Sequence, residues 1–190
     1  MGTRSIWTFA ETHEWKDEKT GRKRKQKTEH HVYKHWDGYP TGAALIIART
    51  LLLGTVWQLP RFEADEFAAG FIAANKDGTG DFRLALTRYG ACDVEYGYTI
   101  WFDETLKIRC VKTGYWGVKN VRTGEGTSER EVFDGTVWDF LERYGTYRHG
   151  EGDQEVIATL SDRLKDGTPY GYPPIAEDID VDKTLRKMLT

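Results

Sequence analysis

The densest group of chemically capable side chains in this 190-residue sequence is His30-His31-Val32-Tyr33-Lys34-His35-Trp36-Asp37-Gly38-Tyr39-Pro40. Three histidines, a lysine, an aspartate and three rings fall within that short stretch. A carboxylate that orients an imidazole makes a general base, and His35 and Asp37 are close enough for that contact across a turn. Metal binding by His31 and His35 is a poorer fit. Val32, Tyr33 and the Asp-Gly-Tyr-Pro turn argue for a strand, which sets the two rings about 13 Å apart along its length. Metal–imidazole bonds are only ~2.1 Å long. A purely structural role is equally concrete: Asp37 caps a following helix, Trp36 and Tyr39 pack as a corner, and His35 makes a local hydrogen bond.

A second constellation is Asp93 and Glu95, two carboxylates on one face of a strand. Joined by Asp81 or Asp103, they could hold Mg²⁺ for phosphodiester hydrolysis. Nothing in the spacing fixes a third ligand, and alternating acids also suit a solvated strand face. Asp178, Asp180 and Asp182 alternate as well, without the Gly and distal Glu of a calcium loop. There is no P-loop, no Gly-x-Ser-x-Gly, no His-Glu-x-x-His and no dinucleotide fingerprint. Cys92 and Cys110 are the only cysteines and form no Cys-x-x-Cys pair, so a cysteine zinc site is not expected. No metal and no cofactor are expected.

The third constellation is basic. Lys16 to Thr28 holds seven basic and two acidic residues. Arg22, Lys23, Arg24, Lys25 and Lys27 suit phosphates or an acidic protein surface, or simply solvate a hairpin tip. Gly150 to Thr190 is the acidic counterpart, with nine acidic and five basic residues. Rings are the fourth signal. Trp7, Trp15, Trp36, Trp101, Tyr115, Trp116, Tyr147, Tyr170 and Tyr172 mostly fall on polar faces or in Gly-rich stretches. Exposed Trp and Tyr anchor interfaces or stack on bases.

The elements that must position these groups follow from hydrophobic period. Arg4–Glu11 alternates as a strand, and Glu29–Trp36 returns from a basic hairpin tip around Gly21. The return strand places His31, Tyr33 and His35 on one face, opposite His30, Val32, Lys34 and Trp36. Thr41–Trp57 is apolar on most faces and reads as the central helix, ended by Leu59-Pro60. Glu63–Asn75 is a second helix with Ala64, Phe67, Ala68 and Phe71 inward, and Asp77–Gly80 a loop. Asp93–Phe102 and Leu106–Val111 read as an antiparallel hairpin closed at Asp103-Glu104. Trp116–Val121 reads as a third strand and Arg122–Arg130 as a loop. Asp134 is read as the cap of a helix to Tyr144. Asp153 is read as capping another, with Val156, Ile157, Leu160 and Leu164 inward. Gly167–Pro174 is irregular, and the final segment is a short helix carrying Leu185, Met188 and Leu189.

This order predicts an α+β fold: an antiparallel sheet with helices packed on one face. Residues 1–150 form the core domain with the basic hairpin 16–28. Residues 151–190 add a helical, acidic extension packed on it. Balanced charge, formally −3, argues against general DNA coating. The longest apolar run, Ala43–Leu53, is interrupted by Arg49 and is far shorter than the ~20 residues of a membrane span. No charged-then-apolar leader opens the chain, so a cytoplasmic protein with reduced thiols and no membrane contact is expected.

The segment Tyr33-Lys34-His35-Trp36-Asp37-Gly38-Tyr39-Pro40 resembles a Tyr-x-His-x-Asp-Gly-Tyr-Pro signature of small uncharacterised bacteriophage and prophage proteins. Their downstream Asp-x-Glu-Tyr-x-Tyr strand is matched by Asp93-Val94-Glu95-Tyr96-Gly97-Tyr98, so the similarity runs from about Glu29 to Val111. The resemblance implies a mobile genetic element, where small proteins bind and block host defence complexes as anti-CRISPR proteins do. The expected function is therefore non-enzymatic binding of a host protein or ribonucleoprotein. Residues 22–27 offer nucleotide or nucleic-acid contact, and Trp36 and Tyr39 anchor the partner if they are exposed. The competing expectation is a small metal-dependent phosphodiesterase or nuclease using His35, Asp37, Asp93 and Glu95. A nucleotide-sequestering protein is a third.

Overall fold

A computed structural model describes residues 3–54, 62–76, 81–88, 94–113, 129–150, 155–166 and 179–189. Its order is β1 (Ser5–Lys16), β2 (Lys23–Lys34), α1 (Pro40–Leu53), α2 (Ala64–Asn75), β3 (Phe82–Ala85), β4 (Tyr96–Asp103) and β5 (Thr105–Thr113). There follow β6 (Glu129–Thr136), α3 (Val137–Tyr144), β7 (Tyr147–His149), β8 (Val156–Ala158), α4 (Leu160–Asp166) and α5 (Val181–Leu189). Six strands make one sheet in the order β3-β2-β1-β4-β5-β6, and β7 and β8 pair separately. The class is α+β, as the sequence predicts. The large sheet is mostly antiparallel, with one parallel pair, β1 beside β4.

That pair explains the main departure from the expected pattern. A half-buried strand alternates, yet Ser5 to Ala10 are all buried. β1 is central, hydrogen-bonded on both edges and covered on both faces. On the helix side Trp7 and Phe9 meet Phe71, with Trp7 stacked on Tyr98 at 4.2 Å between centroids. Trp7, expected among the surface rings, is thus fully buried, and its indole N–H donates to Ser5 Oγ at 2.9 Å. On the opposite face Ile6, Val111 and Gly97 meet, Arg88 lies over Gly97, and Arg88 pairs with Glu129.

α1 is buried from Gly42 to Leu51, as an apolar central helix requires. α2 turns Ala64, Phe67, Ala68 and Phe71 inward at helical spacing. α3 contributes Val137, Phe140 and Leu141, and its cap is Thr136, whose Oγ1 accepts the Asp139 N–H at 3.0 Å. Asp134, the expected cap, pairs with Arg109 inside β6. The stretch read as a loop to Arg130 already belongs to β6 from Glu129.

Beyond it, the expected long helix from Asp153 is replaced. Val156 and Ile157 are exposed strand residues of β8, and α4 begins at Leu160. Thr159 caps α4 reciprocally: it accepts the Asp162 N–H, and the Asp162 carboxylate accepts the Thr159 N–H. Leu160, Leu164, Val181, Leu185 and Leu189 join the same core as the sheet and α1. The expected Trp116–Val121 strand, the Leu59-Pro60 stop, the Asp77–Gly80 loop and Gly167–Pro174 lie outside the described residues, as do Asp153, Asp178, Cys92, Tyr115, Tyr170 and Tyr172. Among the described residues, no helix is long and apolar enough to cross a membrane.

Candidate functional site

The residues singled out above collect at two opposite ends of the sheet. One end is where β1 begins, β2 finishes and β4 starts. Here Lys34 pairs with Ser5 on one side and Phe82 on the other. Its side chain is only 1% exposed; Nζ lies 2.5 Å from Asp81 Oδ2 and 4.5 Å from the Phe82 ring centroid. The other Asp81 oxygen accepts the backbone N–H groups of His35 (3.2 Å) and Trp36 (3.1 Å). Asp81, a sequence candidate for a metal ligand, is instead the lock that fastens the end of β2 to the start of β3.

The turn after β2 folds back onto β1. Asp37, not Gly38, carries the positive φ, 54°. Aspartate tolerates that region better than most residues. Gly38 is required for space: an added Cβ would fall 2.7 Å from Ser5 Cβ. Its N–H donates to Thr3 O, and its carbonyl accepts the Tyr98 hydroxyl, both at 2.8 Å. Asp37 does not cap α1. The N-cap position is Tyr39, with no side-chain cap bond, and Pro40 follows at the first turn. The Asp37 carboxyl is half-buried, and burial raises its pKa against the opposing pull of Lys34 and a hydrogen bond from Tyr39. His35 Nδ1 is 3.0 Å from the Tyr33 hydroxyl, and its ring meets Trp36 edge-on at 4.4 Å. No hydrogen bond joins His35 to Asp37 among the described residues, so the carboxylate–imidazole contact that the spacing allows is not formed.

Glu95 donates its backbone N–H to Arg4 O at 3.0 Å. His35 and Glu95 therefore flank β1 from two sides, two strand spacings or about 10 Å apart at the backbone. Asp103 closes the far end of β4, roughly 25 Å from Glu95 at ~3.3 Å per residue. Asp93 lies outside the described residues. No group of three His, Cys, Asp or Glu side chains that could hold a metal occurs among the described residues.

At the opposite end, β1 and β2 outrun their neighbours. β4 leaves β1 at Ala10 and β3 leaves β2 at His31, while β1 and β2 remain paired out to Lys16 opposite Lys23. The result is a two-stranded arm turned by Asp17 to Arg22, with Gly21 at φ 68°. The basic segment expected as a loose tip is mostly strand: Lys16 ends β1, Lys23, Arg24, Lys25 and Lys27 lie in β2, and only Lys19 and Arg22 are in the turn. Asp17 fixes that turn by accepting the N–H groups of Lys19 and Thr20. These bonds hold its carboxyl below the usual range, Thr20 contributing most.

Period two divides the arm into unlike faces. Lys16, Lys23, Lys25 and Lys27 share one face with Thr12 and Glu14; Trp15, Arg24, His13 and Gln26 share the other. Trp15 is 47% exposed, and Trp36, at the far end of the sheet, 50%. Lys25 pairs with Glu14 at 3.0 Å and Lys27 with Glu29 at 2.5 Å, while Arg24 reaches Asp17 at 3.5 Å. The hydrogen bond from Lys25, reinforced by its charge, holds the Glu14 carboxyl below its ordinary range. At the arm's root Glu11 accepts the Ala64 N–H (3.2 Å) and meets His13 Nε2 (3.1 Å). This ties the arm to the first turn of α2 across a cleft of about 270 Å³.

Thus the structure separates the expected partner-binding set. Arg22, Lys23, Arg24, Lys25 and Lys27 stand on the arm; Trp36 and Tyr39 lie at the other end of the sheet. Sequence reasoning passed over Lys34 with Asp81, and Lys16 opposite Lys23. The signal for the first was available: a lysine shares the period of Val32 on a face that must be buried. Comparison of the chain with protein-family models, curated proteins and solved structures finds no match.

Proposed function

We propose that this is a non-enzymatic binding protein of a mobile genetic element, and that it inhibits a bacterial defence complex by docking through its basic arm. The observation that carries the reading is the arm itself. Its strands stay paired for six residues beyond the last β4 partner, from Glu11 to Lys16, with no third strand beside them among the described residues. A free ribbon costs conformational entropy and buries little apolar surface, so the fold gains little from keeping it. Five basic side chains and an exposed tryptophan on such a ribbon suit a partner of opposite charge. The step to a defence complex rests on the resemblance at Tyr33–Pro40. Trp36 offers a second, separate contact, and Tyr39 is held against Asp37 beside it.

Affinity capture from bacterial lysate tests the reading. The tagged protein is expected to retain a stoichiometric host protein or ribonucleoprotein. Reversing Arg22, Lys23, Arg24 and Lys25 to Glu is expected to release it while the melting temperature stays nearly constant, because these side chains are solvent-exposed. Capture that is indifferent to the reversal would remove the arm from the mechanism. Metal-dependent turnover by the purified protein, lost in His35→Ala or Glu95→Gln, would replace binding with catalysis.

A further inference from the structure

We infer that the lysine face of the arm is a sequence-independent contact for the phosphate backbone of a nucleic-acid duplex. This deepens the binding reading and rests on it. The first ground is register. Lys23, Lys25 and Lys27 recur at every second position of β2, so their side chains emerge on one face about 6.7 Å apart. A regularly charged polyanion such as a phosphate backbone matches such a row.

The second ground is a cost. Lys16 stands directly opposite Lys23 at the last pair of the ribbon. Like charges facing each other across a strand pair are destabilising. Neither lysine has a salt-bridge partner among the described residues, and the Glu14 carboxylate that feels the Lys23 charge is itself paired with Lys25. An anion between them reverses the sign of that interaction. Lys25 and Lys27 hold Glu14 and Glu29 only through exposed pairs, which exchange readily for phosphate.

The third ground selects duplex over single strand. Proteins that track single strands stack bases on aromatic rings beside the charged groove. The arm's ring, Trp15, is on the opposite face and cannot reach bases of a strand gripped by the lysines. What remains is a ring-free face of four lysines around Glu14, which suits the outside of a duplex and reads no sequence. The chain's overall charge of −3 confines this contact to the arm.

The test is equilibrium binding of the full-length protein to a fluorescein-labelled 20-base-pair duplex of random sequence, titrated at several salt concentrations. The same-sequence single strand serves as the comparison. Non-specific duplex affinity is expected at roughly 1–100 µM near physiological salt. Two to four neutralised phosphates give a slope of log K against log salt between about −1.8 and −3.6. Lys16→Gln with Lys23→Gln should flatten that slope by about 1.8 and leave the melting temperature equal or higher, since a like-charge pair is removed. Trp15→Ala should leave duplex binding unchanged. Absence of duplex binding, a slope insensitive to the two glutamines, tighter binding of the single strand, or loss of binding on Trp15→Ala would each overturn the inference. If the duplex is not bound but arm reversal still releases a captured protein, the binding reading survives with an acidic protein surface as the partner. If the duplex is bound and nothing is captured, the inference stands and the defence-complex reading falls.

Discussion

Substituting Asp81 by Ala should be among the most damaging single changes at the turn end of the sheet. Lys34 is 1% exposed and the Asp81 side chain 14%, with 2.5 Å between charged atoms. Removing one partner of such a pair leaves a buried ammonium uncompensated, at a cost of about 3–5 kcal/mol. The backbone N–H groups of His35 and Trp36 lose their carboxylate acceptor at the same time. A domain of this length shifts by roughly 2–4 °C per kcal/mol, so the melting temperature should fall by about 6–20 °C. Urea unfolding followed by tryptophan fluorescence measures the change directly, because Trp7 is buried in the core. Asp81→Asn keeps an amide oxygen for the two N–H groups and should cost less. Lys34→Met combined with Asp81→Asn removes both charges and should recover most of the lost stability, since methionine fills a similar volume beside Phe82. If Asp81→Ala costs under about 1 kcal/mol, the buried charge is not held as described. If the double variant is as unstable as Asp81→Ala, an uncompensated charge is not the cause.

The turn itself makes a pH-dependent prediction. Burial raises the Asp37 pKa, so folding disfavours its ionised form. The linked stability is fully present below the unfolded pKa of about 3.9 and is lost as pH rises through the higher folded value. Asp37→Asn, which also tolerates positive φ, should therefore be at least as stable as the natural protein at pH 7. The advantage should disappear near pH 3.5; paired urea midpoints at the two pH values decide it, and an advantage that grows on acidification refutes it. Cys110 is fully buried, and burial pushes its thiol up to about 12. In a Cys92→Ser background, reaction with a disulfide reagent at pH 8 should proceed only at the rate of unfolding; fast modification of the native protein would contradict the burial of Cys110 between its strand partners Tyr98 and Phe133.

Local chemistry in the sequence determined a good part of this architecture. The stripe of Ala64, Phe67, Ala68 and Phe71 specifies an inward helical face, and the alternation of Tyr98, Ile100, Leu106, Ile108 and Cys110 specifies a hairpin with one buried side. The charge run and Gly21 mark a turn between two strands. Each signal lies within a dozen residues, where period and turn preference act. Neighbours supplied by distant parts of the chain decided the rest. Period two places Ile6, Thr8 and Ala10 on one face and Ser5, Trp7 and Phe9 on the other, and both faces are buried because β2 and β4 flank the strand and make it central. Val156 and Ile157 continue the helical period of Leu160 and Leu164, but Thr159 and Asp162 close the cap at the later position and leave the two apolar residues on a short strand. The same holds for the sites. The basic residues were legible as a run, but the hairpin register put the lysines on one face and Trp15 on the other. The lock on the Asp37 turn joins Lys34 to a carboxylate 47 positions away, a pairing that only the meeting of β2 with β3 creates.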